Sequence, residues 1–585
     1  MSTGYPGWLA VLISWSAITA AAAQDDERFS TGPVLTPLES HRDHDSRSLT
    51  GTPQRRPGPP DGSDVRANVE TRDWQNETSI SVNPLDPDHW VGVANDYRNG
   101  MPSIGWYTTF DGGATWVDGV MPLPPGFGFA GDPCVAFDVH GVPHIGGMQY
   151  GGSGYAVYHY SSRDGGLTWP DVHEVGKAVG YDKPQIASDL SRGPYRGAVC
   201  IAWIDFPDNV QVSVSYDGGA TWSSPATISE ATTTTPMGPD VAFAAGSEVY
   251  VMWVDPSNST IWLDHSTDGG GTFGTDMLVG QFTSVPNPLP GSNFRIFDIF
   301  AMSADYTDGP YSGNVYIAYH TWNPNTTRAD VRCTVSADRG TTWTDKGVHN
   351  DGGSATDQIM PGLFVDPHGN VNCCYYDRRL DPKNMRLWTW LSRSSDGGES
   401  WKDTVVSDVG WDHRFTEWRG TFIGDYIDCD ASAHAVHPFW CDGRSGSLDV
   451  YADTVNLDFY TDKDELSVGT GGTVQFTINI GPNSGSQDYW VFGSLSGTSP
   501  GLSLGNGILL PLNFDSFLIL TIVHANGGFL ISTKGTLDAT GSATAAITSG
   551  PLPPSLAGTV LYFATLVWSG APTYATNPTV VTLVP

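Results

Sequence analysis

The sequence predicts an all-β protein, built as a seven-bladed β-propeller that is followed by a C-terminal β-sandwich. Three observations predict this fold class. A turn motif of eight residues recurs six times, Gly and Trp are abundant (69 and 21 residues), and no long stretch shows the periodicity of a helix. The length of 585 residues suits two or three domains, and an apolar fraction of 39% is enough for a core.

The turn motif reads Ser/Thr-x-Asp-Gly-Gly-x-Thr/Ser-Trp, with Arg for the first Gly in one copy and Phe for Trp in another. Its Asp can accept hydrogen bonds from backbone N–H groups, its glycines permit positive φ, and its aromatic residue can pack between blades. Each copy is therefore predicted to be a stapled hairpin turn. The six copies span residues 109–116, 162–169, 215–222, 266–273, 336–343 and 394–401.

Six such turns at blade-length spacing are the Asp-box, or BNR, repeat, so residues 65–456 resemble the sialidase-like propeller superfamily. The likeness extends to the broad set of secreted bacterial BNR-repeat proteins. In that superfamily the Asp boxes are peripheral and lie away from the active site. The resemblance therefore implies structural roles for the motif aspartates, which are Asp111, Asp164, Asp217, Asp268, Asp338 and Asp396.

A second repeat, a short apolar strand often preceded by Pro, lies upstream of each Asp box. A seventh copy at 422–427 has no Asp box after it. Seven inner strands imply seven blades, and Val65–Val69 is predicted to supply the outer strand that closes the ring. The alternative is six blades with one segment as an insertion. The other copies are 132–138, 182–187, 238–243 and 360–366, with 77–82 and 295–300 as looser matches.

The N-terminus is predicted to be a signal peptide, residues 1–23, because an apolar run ends in Ala21-Ala22-Ala23. No Lys or Arg precedes this run, which departs from the usual pattern and leaves a membrane anchor as the alternative. Residues 24–64 are rich in Pro, Gly and charge and are predicted to be a disordered leader. We therefore expect a bacterial protein that is secreted or held at the cell surface, with no later membrane span.

The net charge of −34 argues against nucleic acid and anionic membranes as partners, since both repel an acidic surface. The charge also suits solubility, a saline habitat or calcium binding by surface carboxylates. We expect no cofactor beyond structural calcium, no metal in the site, and a monomer.

Seven cysteines leave at least one unpaired, and export permits disulfides. Cys429 and Cys441 flank a predicted hairpin and are the best candidate pair.

After Tyr460 the Asp boxes stop and apolar or alternating runs, among them Phe517–His524, lie between Gly, Pro and Asn turns. Residues 461–585 are therefore predicted to form a separate β-sandwich. It is either a passive module or a glycan-binding one.

Residues at the start of each inner strand should surround one mouth of the propeller's central channel. They are Glu77, Asp132, Asp182, Lys183, Arg295, Asp357 and Arg419, with Asp425 and Tyr426 on the seventh strand. Arg98, Arg378 and Arg379 follow second strands. Each of these residues could instead make local turn bonds or salt bridges; Asp377-Arg378-Arg379, and Asp442 with Arg444, could be ion networks between blades.

The resemblance implies a sialidase-like site with an arginine triad, a Tyr–Glu pair and an acidic Asp. Arg295, Arg378 and Arg419 match the triad, Glu417 and Tyr426 the pair, and Asp132 or Asp182 the acid, while Arg98 and Lys183 are further substrate-binding candidates. The family's Arg-Ile-Pro motif is not reproduced, because Phe294-Arg295-Ile296-Phe297 lacks the Pro and lies in the fifth blade.

The sequence therefore favours a glycoside hydrolase that acts on an anionic glycan or glycoprotein, in the manner of an exo-sialidase. One alternative is a propeller that binds a glycan or protein without catalysis. A second is a polysaccharide lyase, for which Tyr426 and Arg419 would supply a base and a cation.

Overall fold

The computed structural model describes residues 64–69, 74–178, 180–206, 209–230, 235–347, 356–416, 421–433, 435–463, 465–480, 484–498, 500–504 and 508–585. Within these residues the regular secondary structure is almost entirely β-strand, and most of the sheets have four antiparallel strands. This arrangement is consistent with a β-propeller. The short 3₁₀ turns are Ala245–Ser247, His413–Phe415 and Pro554–Leu556.

The first strand, β1 (Val65–Arg66), belongs to a sheet that is completed near residue 450. After it, six sheets of four consecutive strands follow one another. Sheet 1 contains β2 (Gln75–Val82), β3 (Trp90–Asp96), β4 (Ser103–Thr109) and β5 (Val117–Val120). Sheet 2 contains β6 (Phe129–Phe137), β7 (Pro143–Gly151), β8 (Gly154–Ser161) and β9 (Asp171–Ala178). Sheet 3 contains β10 (Tyr181–Ser188), β11 (Val199–Asp205), β12 (Asn209–Ser215) and β13 (Ala226–Thr227).

The next three sheets repeat the order. Sheet 4 contains β14 (Met237–Ala244), β15 (Glu248–Asp255), β16 (Thr260–Ser266) and β17 (Met277–Gln281). Sheet 5 contains β18 (Ala301–Ala304), β19 (Val315–Asn323), β20 (Arg328–Ser336) and β21 (Thr344–Asp345). Sheet 6 contains β22 (Gln358–Val365), β23 (Val371–Asp377), β24 (Trp388–Ser394) and β25 (Lys402–Val405). The fifth inner strand was predicted at 295–300, but this segment is a loop before β18.

The seventh sheet joins the two ends of the repeat region. Its strands are β26 (Asp428–Ala431), β27 (Ala435–Asp442), β28 (Asp449–Ala452) and β29 (Val455–Asn456), and β1 pairs with β28. Val65 lies opposite Ala452, and the Asn68 side chain binds both the Asp449 carboxylate (2.8 Å) and the Val450 N–H (2.9 Å). As predicted, the segment at Val65 supplies the outer strand. The seventh inner strand was predicted at 422–427, but this segment is a loop before β26, so Asp425 and Tyr426 precede the strand.

An ion-pair arrangement repeated in three sheets supports this placement of β1. In sheet 1, Arg98 joins Asp96, at the end of the second strand, to Asp118 in the fourth strand. Asp64, directly before β1, takes the place of the fourth-strand aspartate in the seventh sheet. These networks lie within sheets, whereas the sequence suggested links between blades. The two other copies are Arg379 with Asp377 and Asp403, and Arg444 with Asp442 and Asp64.

The first strands of the seven sheets form a closed ring. Contacts run from each of β2, β6, β10, β14, β18 and β22 to the next, then to β26, and from β26 back to β2. Side chains fasten neighbouring strands: the Ile80 N–H donates to Asp428 (3.2 Å), and the Val135 N–H donates to the Ser79 hydroxyl (3.3 Å). The apolar core lies between adjacent sheets, as in the cluster around Trp253 that joins β15 to β11 and the cluster around Trp203 that joins β11 to sheet 2.

All six turn motifs connect the third strand of a sheet to its fourth. In the first copy, Asp111 accepts the Thr115 N–H (2.8 Å) and the Thr115 hydroxyl (2.7 Å), and the Thr109 hydroxyl donates to Asp111 (2.9 Å). The other five copies repeat these bonds. The motif aspartates therefore hold peripheral turns, at the far side of each sheet from the first strand.

The C-terminal module, residues 459–585, has two sheets around one apolar core that includes Phe476 and Phe563. The first sheet contains β30 (Phe459–Thr461), β32 (Gly472–Asn479), β36 (Leu530–Ile531) and β38 (Ser542–Ser549). The second contains β31 (Glu465–Ser467), β33 (Asp488–Ser494), β37 (Lys534–Thr536), β39 (Val560–Trp568), β40 (Pro572–Ala575) and β41 (Thr579–Val584). A hairpin of β34 (Leu502–Ser503) and β35 (Leu509–Leu510) packs beside it.

One predicted strand of this module is wrong. Residues Ser516–Val523 form a helix, α1, whose first turn is capped by Asp515, the acceptor for the N–H groups of Phe517 and Leu518 (both 2.9 Å). A short unbroken apolar run does not distinguish a strand from a buried helix by its periodicity. The Asp before the run was the available helix signal.

The predicted Cys429–Cys441 disulfide is also wrong, since both side chains are buried free thiols. Cys429 pairs across the ladder with Pro438, three positions from Cys441, and an odd offset puts the two side chains on opposite faces. The Cys429 thiol faces the carbonyls of Gly362 and Asn372, whereas Cys441 donates to the Ile423 carbonyl.

Asp458 joins the module to sheet 6. Its buried carboxylate accepts hydrogen bonds from Arg393 (2.6 Å), Lys402 (2.9 Å) and Tyr574 (2.5 Å). Among the described residues, no helix combines the length and apolarity that crossing a membrane requires.

If β1 closes the ring, Asn68→Ala should lower the free energy of unfolding by about 1–3 kcal/mol, because Oδ1 of Asp449 and the Val450 N–H both lose their hydrogen bond to the Asn68 amide. Urea denaturation followed by tryptophan fluorescence measures the change. Arg66→Ala removes only the long, partly exposed contact of 3.8 Å to the same Asp449 carboxylate, so it is the matched comparison and should cost much less. If both substitutions had equally small effects on the free energy of unfolding, the pairing of β1 with β28 would be contradicted.

Candidate functional site

Five of the seven first strands carry a bulge at the same position. The ladder skips two residues there, and the first of them has positive φ. In four strands the second is Pro, which has no N–H to give to the ladder. Left-handed backbone at a non-glycine residue is strained, and such strain is concentrated at functional sites. The bulge residues are Glu77, Asp132, Lys183, Gly238 and Met360.

Three of these bulges bring charged side chains together around Lys183, which is only 6% exposed. The Lys183 Nζ lies 3.1 Å from Oε1 of Glu77 and 3.5 Å from Oδ1 of Asp132. It also lies 2.9 Å from Oδ2 of Asp425, in the segment that leads to β26. Gly424, next to Asp425, packs so closely against the Glu77 backbone that a Cβ there would lie 2.8 Å from its N atom.

Arg295 lies at the outer edge of this group, with 43% of its side chain exposed. Its Nε and Nη2 bind the two carboxylate oxygens of Asp425 at 3.2 and 2.7 Å, which is the bidentate geometry that favours strong pairing. Its guanidinium also lies over the Phe422 ring, 3.9 Å from the centroid. We call the whole group the mouth cluster: Glu77, Asp132, Asp182, Lys183, Arg295 and Asp425.

The carboxyls of the mouth cluster differ in protonation. Burial alone would raise the pKa of Asp132, but Lys183 and hydrogen bonds from Glu77 and Asp182 lower it below its usual range. Burial also opposes ionisation of Asp425, and Lys183 and Arg295 lower its pKa. Both are therefore carboxylates near neutral pH.

The other two carboxyls hold protons. Burial raises the pKa of Glu77 well above its usual range. This effect of burial exceeds the opposing effect of the Lys183 ammonium. Burial and the neighbouring Asp132 charge raise the pKa of Asp182 to about 8. Two carboxylates then balance the ammonium and the guanidinium, so the cluster is nearly neutral and keeps a proton donor beside an acceptor.

Tyr426 adds an unpaired hydroxyl to the site. Its side chain is 8% exposed, and its OH has no hydrogen-bond partner among the described residues. Lys183 Nζ lies 5.2 Å from its ring centroid, and burial, then the neighbouring Glu77 and Asp132 carboxyls, raise the pKa of Tyr426 well above its usual range. A buried hydroxyl without a partner is costly, and it marks a place for a ligand group or water.

Tyr426 also lines a cavity of about 770 Å³ that runs between the first strands. Three carboxylates that accept backbone N–H bonds lie along its wall, and the C-terminal module contributes Thr461, Asp462 and Lys463. Burial raises the pKa of each of these carboxyls, to about 6 for Asp428 and about 7 for the other two, Asp240 and Asp430.

Partly exposed aromatic side chains lie around the mouth. Trp74 stacks on Tyr97 at 4.5 Å, and Phe129 stacks on Tyr150 at 5.0 Å. The Glu77 and Asp132 carboxyls act on both Tyr97 and Tyr150, so these rings lie beside the cluster. Burial, then Asp132, raises the pKa of Tyr150 to about 12. A polar centre with an aromatic edge is the usual composition of a small-molecule site.

The structure brings together five of the nine predicted site residues: Asp132, Asp182, Lys183, Arg295 and Tyr426. Arg98 pairs with Asp96 and Asp118 in its own sheet, away from the cluster. Arg378 is fully buried and binds Asp357 (3.2 Å) and the Ser292 hydroxyl (2.7 Å), so both arginines are engaged in the fold. Glu417 and Arg419 lie outside the described residues.

Sequence reasoning placed Glu77 and Asp425 at the mouth but gave them no role, and it missed Asn95 and the aromatic edge. The Asn95 side chain donates to Glu77 (2.6 Å) and accepts from the Asp132 N–H (2.9 Å), which fixes the two acids relative to each other. The signal that could have identified Asn95 was its position in the segment Asn95-Asp-Tyr-Arg98. In the structure, Asn95 lies opposite Asn76 and beside the bulge at Glu77. Within the described chain, no group of three or more His, Cys, Asp or Glu is arranged to hold a metal ion.

No family model and no curated protein matches the chain. It is similar to the Hadza microbial sialidase Hz136 (TM-score 0.37, 13% identity, 65% of this chain and 66% of that one). It is also similar to the GH93 α-L-arabinofuranosidase of Fusarium graminearum (TM-score 0.37, 13% identity, 67% and 97% of the chains). A third similar structure is a polysaccharide lyase of family PL25, an ulvan lyase (TM-score 0.40, 11% identity, 67% and 94%). Similarity at this level establishes no activity for this chain.

The raised pKa of Asp182 has a consequence for stability. The native protein keeps this proton up to about pH 8, whereas the unfolded chain loses it near pH 4, so the free energy of unfolding falls as pH rises through this window. Asp182→Asn should remove part of the fall, by up to about 1.4 kcal/mol per pH unit. Urea unfolding of the parent protein and of Asp182→Asn at pH 5 to 9 measures this difference in slope.

Asp86→Asn, at an exposed carboxyl in the turn after β2, is the matched control for that series and should keep the parental slope. Parallel curves for Asp182→Asn and the parent protein would show that Asp182 is ionised in the native state.

Proposed function

We propose that this chain is an exported, seven-bladed Asp-box propeller with a C-terminal β-sandwich, and that it hydrolyses glycosidic bonds in an anionic glycan or glycoprotein. A signal peptide at 1–23 and a leader at 24–64 account for the export, and calcium, if it binds, is structural. One observation carries the proposal. The mouth cluster combines a proton-holding carboxyl with cations, and beside it lie an aromatic edge and the buried hydroxyl of Tyr426, which has no partner among the described residues.

Arg295 is the residue proposed to receive the substrate's acidic group. It is the most exposed cation of the mouth cluster, and Asp425 orients its guanidinium from below. Lys183 adds positive charge deeper in the site. Arg419 keeps its predicted substrate-binding role, and the aromatic edge at Tyr97 and Tyr150 offers flat apolar surfaces to sugar rings.

Asp182 is proposed as the general acid, because its pKa of about 8 keeps it protonated at neutral pH. Tyr426 is proposed as the nucleophile, which is the exception that sialidases make to the two-carboxylate scheme. Its proton would pass to the carboxylate base that the family resemblance places beside the nucleophile. Glu417, which the family resemblance pairs with Tyr426, is proposed as that base.

The contact between Asp132 and Asp182 supports this assignment. Two carboxyls that act alone on a glycosidic bond stand about 5 Å or about 6.5–9.5 Å apart. Here Asp132 and Asp182 share a hydrogen bond. This contact favours Asp182 as the acid with Asp132 as its hydrogen-bond partner, rather than Asp132 as the nucleophile and Asp182 as an acid on the other side of the bond.

A lyase is the second candidate, because Tyr426 lies beside the Lys183 ammonium. A tyrosine base with a cation that neutralises a uronate carboxylate is the arrangement that elimination needs. A propeller that binds its ligand without turnover is the third.

Incubation with sialylated and uronic-acid glycans should release sugar, and Asp182→Asn should lower kcat by about 10²–10⁴-fold. Tyr426→Phe should abolish turnover, while Arg295→Gln should mainly raise KM. Reducing-sugar and ultraviolet assays of the same reaction separate hydrolysis from elimination, since only a lyase forms an unsaturated, ultraviolet-absorbing product.

Asp217→Asn, in a peripheral turn, is the control and should keep the parental kcat. Saturable binding that persists in Asp182→Asn and Tyr426→Phe, with no product across the panel, would contradict the enzyme and favour the binding propeller.

A further inference from the structure

The second sheet of the C-terminal module carries two tryptophans on one face. Trp490 on β33 and Trp568 on β39 have ring centroids 6.0 Å apart, inclined by 46°. The two strands are direct neighbours in the sheet. Both rings are only partly buried, and their inner sides pack on the apolar cluster around Phe492 and Leu566. They therefore form a rigid aromatic surface with a free side.

Lys534 lies over this surface. It is directly opposite Trp490 in the β33–β37 pair, and its Nζ lies 4.0 Å from the Trp490 centroid and 6.0 Å from that of Trp568. Asn526 fixes the lysine backbone by accepting its N–H (2.9 Å) and donating to its carbonyl (2.7 Å).

The charge of Lys534 is unusual for its surroundings. Residues 461–585 contain only two cations, Lys463 and Lys534, and no arginine. Lys534 is exposed, no carboxylate of the described residues forms an ion pair with it, and its ammonium contacts the two rings. Asp488, which accepts the Thr536 hydroxyl (2.9 Å), lies at the same edge and opposite Trp568. A cation, two aromatic faces and a polar edge thus converge on one exposed area.

We propose that Trp490, Trp568 and Lys534 form a binding site for an acidic glycan, separate from the mouth cluster. The apolar face of a sugar ring stacks on the tryptophans, and a carboxylate or sulfate of the glycan pairs with the Lys534 ammonium. The protein's net negative charge acts at long range and is screened beyond about 8 Å in physiological salt, whereas the ligand's acidic group meets Lys534 at contact distance. This inference does not depend on catalysis at the mouth.

Affinity electrophoresis of the full-length protein tests the site, in gels that contain polygalacturonate, alginate or chondroitin sulfate. We expect retardation by at least one polymer, and at least a tenfold weaker effect in Trp490→Ala and Trp568→Ala. Lys534→Gln, a surface change that leaves the rings in place, should abolish the preference for polygalacturonate over its methyl ester. Lys177→Gln, at an exposed lysine on β9, is the matched control and should behave as the parent.

Each other outcome overturns the proposal. No retardation by any of the three polymers would do so, as would retardation that survives both tryptophan substitutions in folded protein. Equal binding of poly-glutamate would show that the site recognises acidic chains rather than sugars. Loss of retention in Asp182→Asn, with the tryptophan variants unaffected, would place the binding at the mouth instead.

Discussion

The ammonium of Lys183 holds carboxyls that come from three different parts of the chain: Glu77, Asp132 and Asp425. Removing these charges from water costs several kcal/mol for each ion, and removing a single partner would leave the others uncompensated. The cluster persists because its charges nearly balance and because two of its carboxyls keep their protons. The same balance places a proton donor, Asp182, beside acceptors in a buried site, so the interaction that holds the mouth together also supplies the chemistry proposed for it.

The ring is what makes that interaction available. Glu77 lies in the first sheet and Asp425 precedes the seventh, and they meet only because β1 pairs with β28 and β26 packs against β2. The bulges complete the geometry. Without them, a regular ladder would not place a residue with left-handed backbone at the same position in five of the first strands. In an open array the same residues would lie on separate surfaces, and the proposed acid, base and substrate cation would not share a site.

How much the sequence predicts depends on the range of the interaction. Local patterns gave the six turns, the role of the Val65 segment and the strand positions of Asp132 and Lys183. Features that depend on contacts with residues distant in sequence were predicted less well. Arg378 has the residue type of a substrate ligand, yet its burial against Asp357 is a tertiary contact that spacing does not reveal. The Asp515 cap outweighed the strand-like composition of α1, and the aromatic edge consists of residues that are distant in sequence.

A double-mutant cycle between Lys183 and Asp425 tests the account most directly. These residues are 242 positions apart, and urea unfolding of Lys183→Met, Asp425→Asn and the double variant gives their coupling energy. If the closed ring brings them together at 2.9 Å in a buried site, each single substitution should be strongly destabilising and the coupling should be at least about 1.5 kcal/mol. Effects that add to within about 0.5 kcal/mol would mean that the two side chains do not meet, and would contradict both the mouth cluster and the function built on it.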